Sequence, residues 1–210
     1  GDAVYVKPTR LALHFIFALG LLAYTYWFAL SLKANAIVKN TVSTEGQHKF
    51  KSIRNWAWVI LIILCLQLIY GALMAGHKAA NVASTWPTIN GAWVPEGLSS
   101  KDSFLLNAVN NTIWIHFVHR GLAYILLAVI LFWTFKMNAL RGNLFWTKIK
   151  MLPILLVGVQ VLLGVLTVLS STSIVPGEWA TFEWLAQTHQ LVGMMLLLSV
   201  VNVLFATKEI

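Results

Sequence analysis

Six histidines stand in a chain otherwise dominated by apolar side chains: His14, His48, His77, His116, His119 and His189. Imidazole binds metals, carries protons near neutral pH and forms hydrogen bonds through either nitrogen. His14, His116, His119 and His189 fall inside long apolar runs, where a polar side chain is costly and usually functional. His48 belongs to a basic stretch and reads as solvated, and His77 closes an apolar run and reads as interfacial. His119 and His189 lie about seven and about five residues into their runs, so at 1.5 Å per residue their depths differ by only a few ångströms. His14 lies about three residues into its own run. Two histidines at matched depth can clamp one metal between two helices of a bundle.

The company those histidines keep narrows the chemistry. Zinc wants three or four ligands, with Cys, Asp and Glu among the candidates. No carboxylate lies within the apolar runs, and the single cysteine, Cys65, sits alone in the second run and is expected as a small buried apolar residue. Two imidazoles without acidic company suit a bis-histidine heme, in which the porphyrin supplies the other four ligands. Small residues four positions on, Ala18, Ala123 and Gly193, would leave room for a flat macrocycle. The same pair would serve equally well as helix–helix hydrogen-bonding groups, and spacing alone leaves the two readings level. Arg120, directly after His119, is the only basic residue in the core of any run. Burying it costs roughly 2.5–3.5 kcal/mol. It would pair with a heme propionate, or snorkel to the outer interface.

The elements that must position these residues are membrane spans. Of the 210 residues, 59% are hydrophobic and 10% charged, against roughly 25% charged in soluble domains. Five runs reach the roughly 20 residues a spanning helix needs: 11–32, 56–76, 112–135, 150–170 and 184–206. None alternates with the period of an outer-membrane strand. The expected fold is an all-α polytopic membrane bundle of about five helices.

The net charge of +8 is a topology signal rather than a nucleic-acid footprint. Lys33, Lys39, Lys49, Lys51 and Arg54 lie between the first two runs, and Lys136, Arg141, Lys148 and Lys150 between the third and fourth. The other two connections hold Lys78 and Lys101 with Glu96, Asp102, Glu178 and Glu183. By the positive-inside rule the first and third connections are cytoplasmic, residue 1 is outside and the C-terminus inside. The expected location is the bacterial cytoplasmic (inner) membrane. An odd number of helices starting outside, in a chain beginning with Gly1, reads as a piece of a longer protein.

Two further patterns stand out. The connection from His77 to Asn111 is rich in Trp, Pro, Gly and Asn, as in Trp86, Pro87, Asn90, Gly91, Trp93 and Pro95. It reads as an interfacial loop or as the cap of a site. A weak repeat relates Gln67-Leu68-Ile69-Tyr70-Gly71-Ala72-Leu73 to Gln160-Val161-Leu162-Leu163-Gly164-Val165-Leu166. Each copy precedes a helix with a histidine near its outer end, which suggests two related hairpins about a pseudo-axis. Helix packing and ligand contact explain these glutamines and glycines about equally.

Taken together, the motifs resemble heme A synthase. Ile115-His116-Phe117-Val118-His119-Arg120-Gly121-Leu122-Ala123-Tyr124 resembles the His-Arg motif of that family's sixth helix, and Thr188-His189-Gln190 the histidine motif of its eighth. Gln160 to Gly164 resembles the seventh helix, and Gly71 to Gly76 with Thr85-Trp86-Pro87 and Gly91 the fifth helix and its loop. Arg10 to His14 resembles the fourth. The resemblance implies an eight-helix protein of two similar halves, represented here by its fourth to eighth helices. Residues 1–55 would be the last helix of the N-terminal, substrate-heme half plus a cytoplasmic linker, and 56–210 the C-terminal, heme b-binding half. It implies His119 and His189 as axial ligands of heme b, Arg120 as a cofactor contact and His14 as a ligand of the substrate heme. The partner ligand and a catalytic glutamate would belong to a helix absent here. His116 stands where other C-terminal halves carry Gln.

The expected function is oxidation of the methyl group of heme O to the formyl group of heme A for terminal oxidases. This chain alone would be inactive for want of half the substrate site. Its partners would be membrane lipid, the missing N-terminal half, a heme O synthase and an electron donor, with no nucleic acid. A b-type cytochrome that only relays electrons would show the same two histidines, and a heme-free structural or transport subunit would use them for packing.

Overall fold

The computed structural model describes residues 6–32, 44–98, 103–140 and 144–208. Lys33, Lys39, Lys101, Asp102 and Arg141, all used in the topology argument, lie outside the described residues. Among the described residues the long elements are all α-helices: α1 (Pro8–Leu32), α2 (Thr44–Gly76), α3 (Phe104–Asn110), α4 (Thr112–Asn138), α5 (Leu144–Ile149), α6 (Leu152–Ser170) and α7 (Thr181–Ala206). Two 3-10 turns, Ala79–Ala83 and Ser171–Ser173, follow α2 and α6. Among the described residues, five helices are long and apolar enough to cross a membrane. They are α1, α2, α4, α6 and α7, the fourth span running from Trp146 through α5 and α6. The protein is a polytopic membrane helical bundle, as the composition requires.

The helices outrun the apolar runs because intrahelical bonding does not stop where hydrocarbon does. α2 starts at Thr44 rather than near Trp56 and carries exposed His48 on its polar extension. α1 opens on Pro8, whose fixed φ and missing N–H suit a first helical position. α7 opens at Thr181, where the Glu183 carboxylate accepts from Ala180 N at 2.9 Å and satisfies an otherwise orphan donor. Asn111 stops α3 and starts α4: its Oδ1 accepts from Ile113 N and Trp114 N at 3.0 and 3.1 Å. Its Nδ2 donates to Gly97 O at 2.7 Å.

Four helices close a ring in which α2 packs on α4 and α7, and α6 packs on α7 and α4. α1 lies outside the ring against α2 and α7, tied to α7 by Tyr26 Oη donating to Asn202 Oδ1 at 3.0 Å. The end of the ring where α2 begins and α7 finishes is densely filled. Phe50, Ile53, Ile60, Ile130, Trp133, Met137, Trp146 and Val200 are fully buried there, and Trp133 Nε1 donates to Ile53 O at 3.0 Å. Toward the other end the continuous aliphatic core gives way to a small cluster of Ala12, Ala72, Leu73 and Ile115. That end holds His77, His116, His119 and His189. Cys65, expected as a buried apolar residue, is only partly buried.

The connection after α2 is folded rather than loose. It contains the 3-10 turn, a bridge between Ile89 and Ala92, and α3. Asn90 and Gly91 turn the bridge at φ 51 and 89, a left-handed pair that Asn-Gly accommodates at little cost.

Candidate functional site

His119 stands about two turns into α4 and His189 about two turns into α7. Their depths match more closely than the apolar runs alone imply, because α7 begins three residues before Trp184. The two rings face each other across the bundle, centroids 6.5 Å apart and planes at 73°.

Each ring is seated by the neighbouring helix in the same way. On α2, Gly71 faces His119: a Cβ there would come within 3.3 Å of the ring's Cε1. On α6, Gly164 faces His189, where a Cβ would lie 3.0 Å from Cε1. One turn before each glycine a glutamine reaches the same ring. Gln67 Nε2 donates to His119 Nε2 at 3.4 Å, and Gln160 Nε2 to His189 Nε2 at 3.3 Å. The sequence repeat is thus a repeat of ring cradles. Gly193, one turn after His189, makes room for Gln160, since a Cβ there would meet its amide nitrogen at 3.2 Å.

The residues flanking His119 point elsewhere and are committed. His116 is fully buried and donates from Nε2 to Ala79 O at 2.9 Å. Arg120, 8% exposed, is neither at the surface nor alone. Its NH1 donates to Thr85 O at 2.7 Å and Thr88 O at 3.2 Å, and its NH2 to Ala83 O. Three carbonyl dipoles thereby compensate a cation buried at membrane depth. Arg120 Nε has no hydrogen-bond partner among the described residues. His77 donates from Nε2 to Val109 O at 2.8 Å, tying the end of α2 to α3. His14 lies on the exposed side of α1. The structure therefore brings His119 and His189 together, turns Arg120 to the carbonyls of the loop, and leaves His14 outward. Sequence reasoning left Gln67 and Gln160 undecided and did not foresee the carbonyl partners of His116 and Arg120.

The pair fits a bis-histidine heme on its own geometry. Two imidazoles bound from opposite sides of one metal at about 2.0–2.1 Å each place their ring centres roughly 6 Å apart. The rings here stand at 6.5 Å. Gln67 Oε1 and Gln160 Oε1 are buried and have no hydrogen-bond partner among the described residues. Native interiors leave few such atoms, so a matched pair beside the two rings marks a site built for something more. No three His, Cys, Asp or Glu side chains converge among the described residues, so what the protein offers here is two imidazoles.

A membrane bundle holding two facing histidines near one end is the class that fold and site define. The chain belongs to the cytochrome oxidase assembly protein family, whose model matches residues 2–201. It is 32% identical over 198 residues to the heme A synthase of Flavobacterium psychrophilum, covering 93% of this chain and 53% of that one. It is 35% identical over 176 residues to that of Flavobacterium johnsoniae, covering 82% and 49%. It is 31% identical over 198 residues to that of Beijerinckia indica, covering 93% and 51%. The chain spans about half the length of the curated relatives it matches. No solved structure matches it.

Proposed function

We propose that this chain is the heme b-binding half of a heme A synthase, an oxidoreductase that converts the methyl group of heme O to the formyl group of heme A. The observation that carries the reading is the facing pair His119 and His189 at 6.5 Å, each ring admitted by a glycine of the neighbouring helix. His119 and His189 would hold heme b from opposite sides. Arg120, already buried beside them, would offer its Nε to a propionate. Bound there, a six-coordinate heme supplies one-electron redox chemistry within the membrane. His14, outward on α1, would serve the substrate heme in the other half, together with a glutamate and a second ligand from helices outside this sequence. The division into 1–55 and 56–210 follows that reading, as do a multi-pass place in the bacterial inner membrane and a cytoplasmic C-terminus.

The test is a reduced-minus-oxidised spectrum of the purified chain and three variants. One low-spin heme b is expected in the wild type and in His116→Ala, and its loss in His119→Ala and His189→Ala. Loss in His116→Ala with retention in His119→Ala would move the ligand by one turn. The second reading, a b-type cytochrome that only relays electrons, rests on the same pair. It is separated by joining the chain to the N-terminal half of a relative and supplying heme O: heme A formation supports the synthase, and a bound heme b without conversion supports the cytochrome.

A further inference from the structure

The two glutamines have no role in the reading above, yet each touches the atom that would bind iron. A carboxamide nitrogen has two protons and no lone pair to accept with. When it donates to an imidazole Nε2, that nitrogen must carry the lone pair, and the ring's proton must sit on Nδ1. Metal binding needs the same lone pair and a neutral ring. The contacts are nearly equal, 3.4 Å on one side and 3.3 Å on the other. They come from corresponding positions of a repeated segment, one turn before a glycine that admits the ring.

We propose that Gln67 and Gln160 are matched positioning residues, each donating to the Nε2 of the facing histidine and so holding His119 and His189 as the Nδ1–H tautomer before heme enters. The proposal rests on the two histidines being heme ligands and deepens that reading. The amides occupy the approach to Nε2 and would have to give way for that nitrogen to hold a heme. Their action is on loading rather than on the redox step. Outer contacts of this kind orient ligands and typically alter metal affinity 10–100-fold. The neighbouring histidines supply an internal contrast. His116 and His77 donate from Nε2 to Ala79 O and Val109 O, so they must carry the opposite tautomer.

The experiment uses the full chain, heme-free, in detergent micelles with [15N]histidine. In the wild type the nitrogen shifts of His119 and His189, assigned by their Ala variants, should report Nδ1–H, and those of His116 and His77 should report Nε2–H. Gln67→Glu keeps the shape but turns the donor into an acceptor. It should convert His119 to Nε2–H and slow association of added hemin at least tenfold, with His189 unchanged. Gln160→Glu should do the reverse. Gln67→Leu and Gln160→Leu, which fill similar space without a donor, should lose the fixed tautomer and slow loading. Nε2–H at both ligands in the wild type would overturn the proposal, as would unchanged tautomers and loading in all four variants. A wild type that shows both Nδ1–H tautomers yet takes up no low-spin heme would instead overturn the functional reading.

Discussion

On one side of the centre, Gln67 and Gly71 of α2 seat His119 of α4; on the other, Gln160 and Gly164 of α6 seat His189 of α7. Above the first half-site the connection after α2 is pinned to α4 at two points, by His116 on Ala79 O and by Arg120 on the carbonyls of Ala83, Thr85 and Thr88. The second half-site has different neighbours: the residue after His189 is Gln190, which is exposed, and Trp184 near the start of α7 is 63% exposed. The repeat therefore carries the ring cradle twice and the pinned loop once. Cradle and cover are separate devices. The cradle is set by helix spacing, with a small residue opposite each ring. The cover is set by an i, i+4 pair, His116 and Arg120, on the face of α4 next to the one that carries His119.

Filling the cradles should have the largest effect and rank the two sides. Gly164→Leu and Gly71→Leu should each abolish low-spin heme in the purified chain. The gentler Gly164→Ala should lower the heme-to-protein ratio more than Gly71→Ala, because its Cβ meets the ring at 3.0 rather than 3.3 Å. Equal ratios in the two Ala variants would mean that the cradles are not rigid enough for that difference to count.

Arg120→Leu comes next. It strips three carbonyls of a charged donor and should destabilise the chain by about 3 kcal/mol in a denaturation series. It should also open the 79–98 segment to protease. The corresponding change on the other side, Gln190→Leu at an exposed position, should stay within about 0.5 kcal/mol. A comparable cost at both sites would erase the asymmetry. A shift of the heme potential in Arg120→Leu beyond what the opened loop produces would locate a propionate at Nε. That opened-loop background is read from His116→Ala, which also releases the loop.

His116→Ala should cost less than Arg120→Leu: about 1–2 kcal/mol of stability from the lost bond to Ala79 O, with the low-spin spectrum intact. Its loss with heme still absent after stabilising the chain with lipid would show that His116 does more than hold the loop.

Much of this was legible in the sequence. The five spans follow from apolar runs that only hydrocarbon can solvate, and the paired depth of His119 and His189 follows from counting along two helices. The Gln-to-Gly spacing was visible as a repeat, but its meaning needed the partner helices, because whether Gln67 points at His119 or along its own helix depends on the rotation of α2 against α4. Arg120 was read as choosing between a propionate and the interface. Its loop carbonyls were invisible because they belong to backbone whose path no side-chain pattern specifies. Helix starts such as Thr44 were missed for a related reason: hydropathy marks where the membrane ends, and the helix does not have to end there.

The central claim, that these two rings hold one iron between them, has a sharp magnetic consequence. The ring planes stand at 73°. Near-perpendicular axial imidazoles leave the iron orbitals almost degenerate. Low-temperature electron paramagnetic resonance of the oxidised, heme-loaded chain should therefore show a highly anisotropic low-spin ferric signal that disappears in both His119→Ala and His189→Ala. A high-spin signal in the wild type, or a low-spin signal that survives either substitution, would contradict the account.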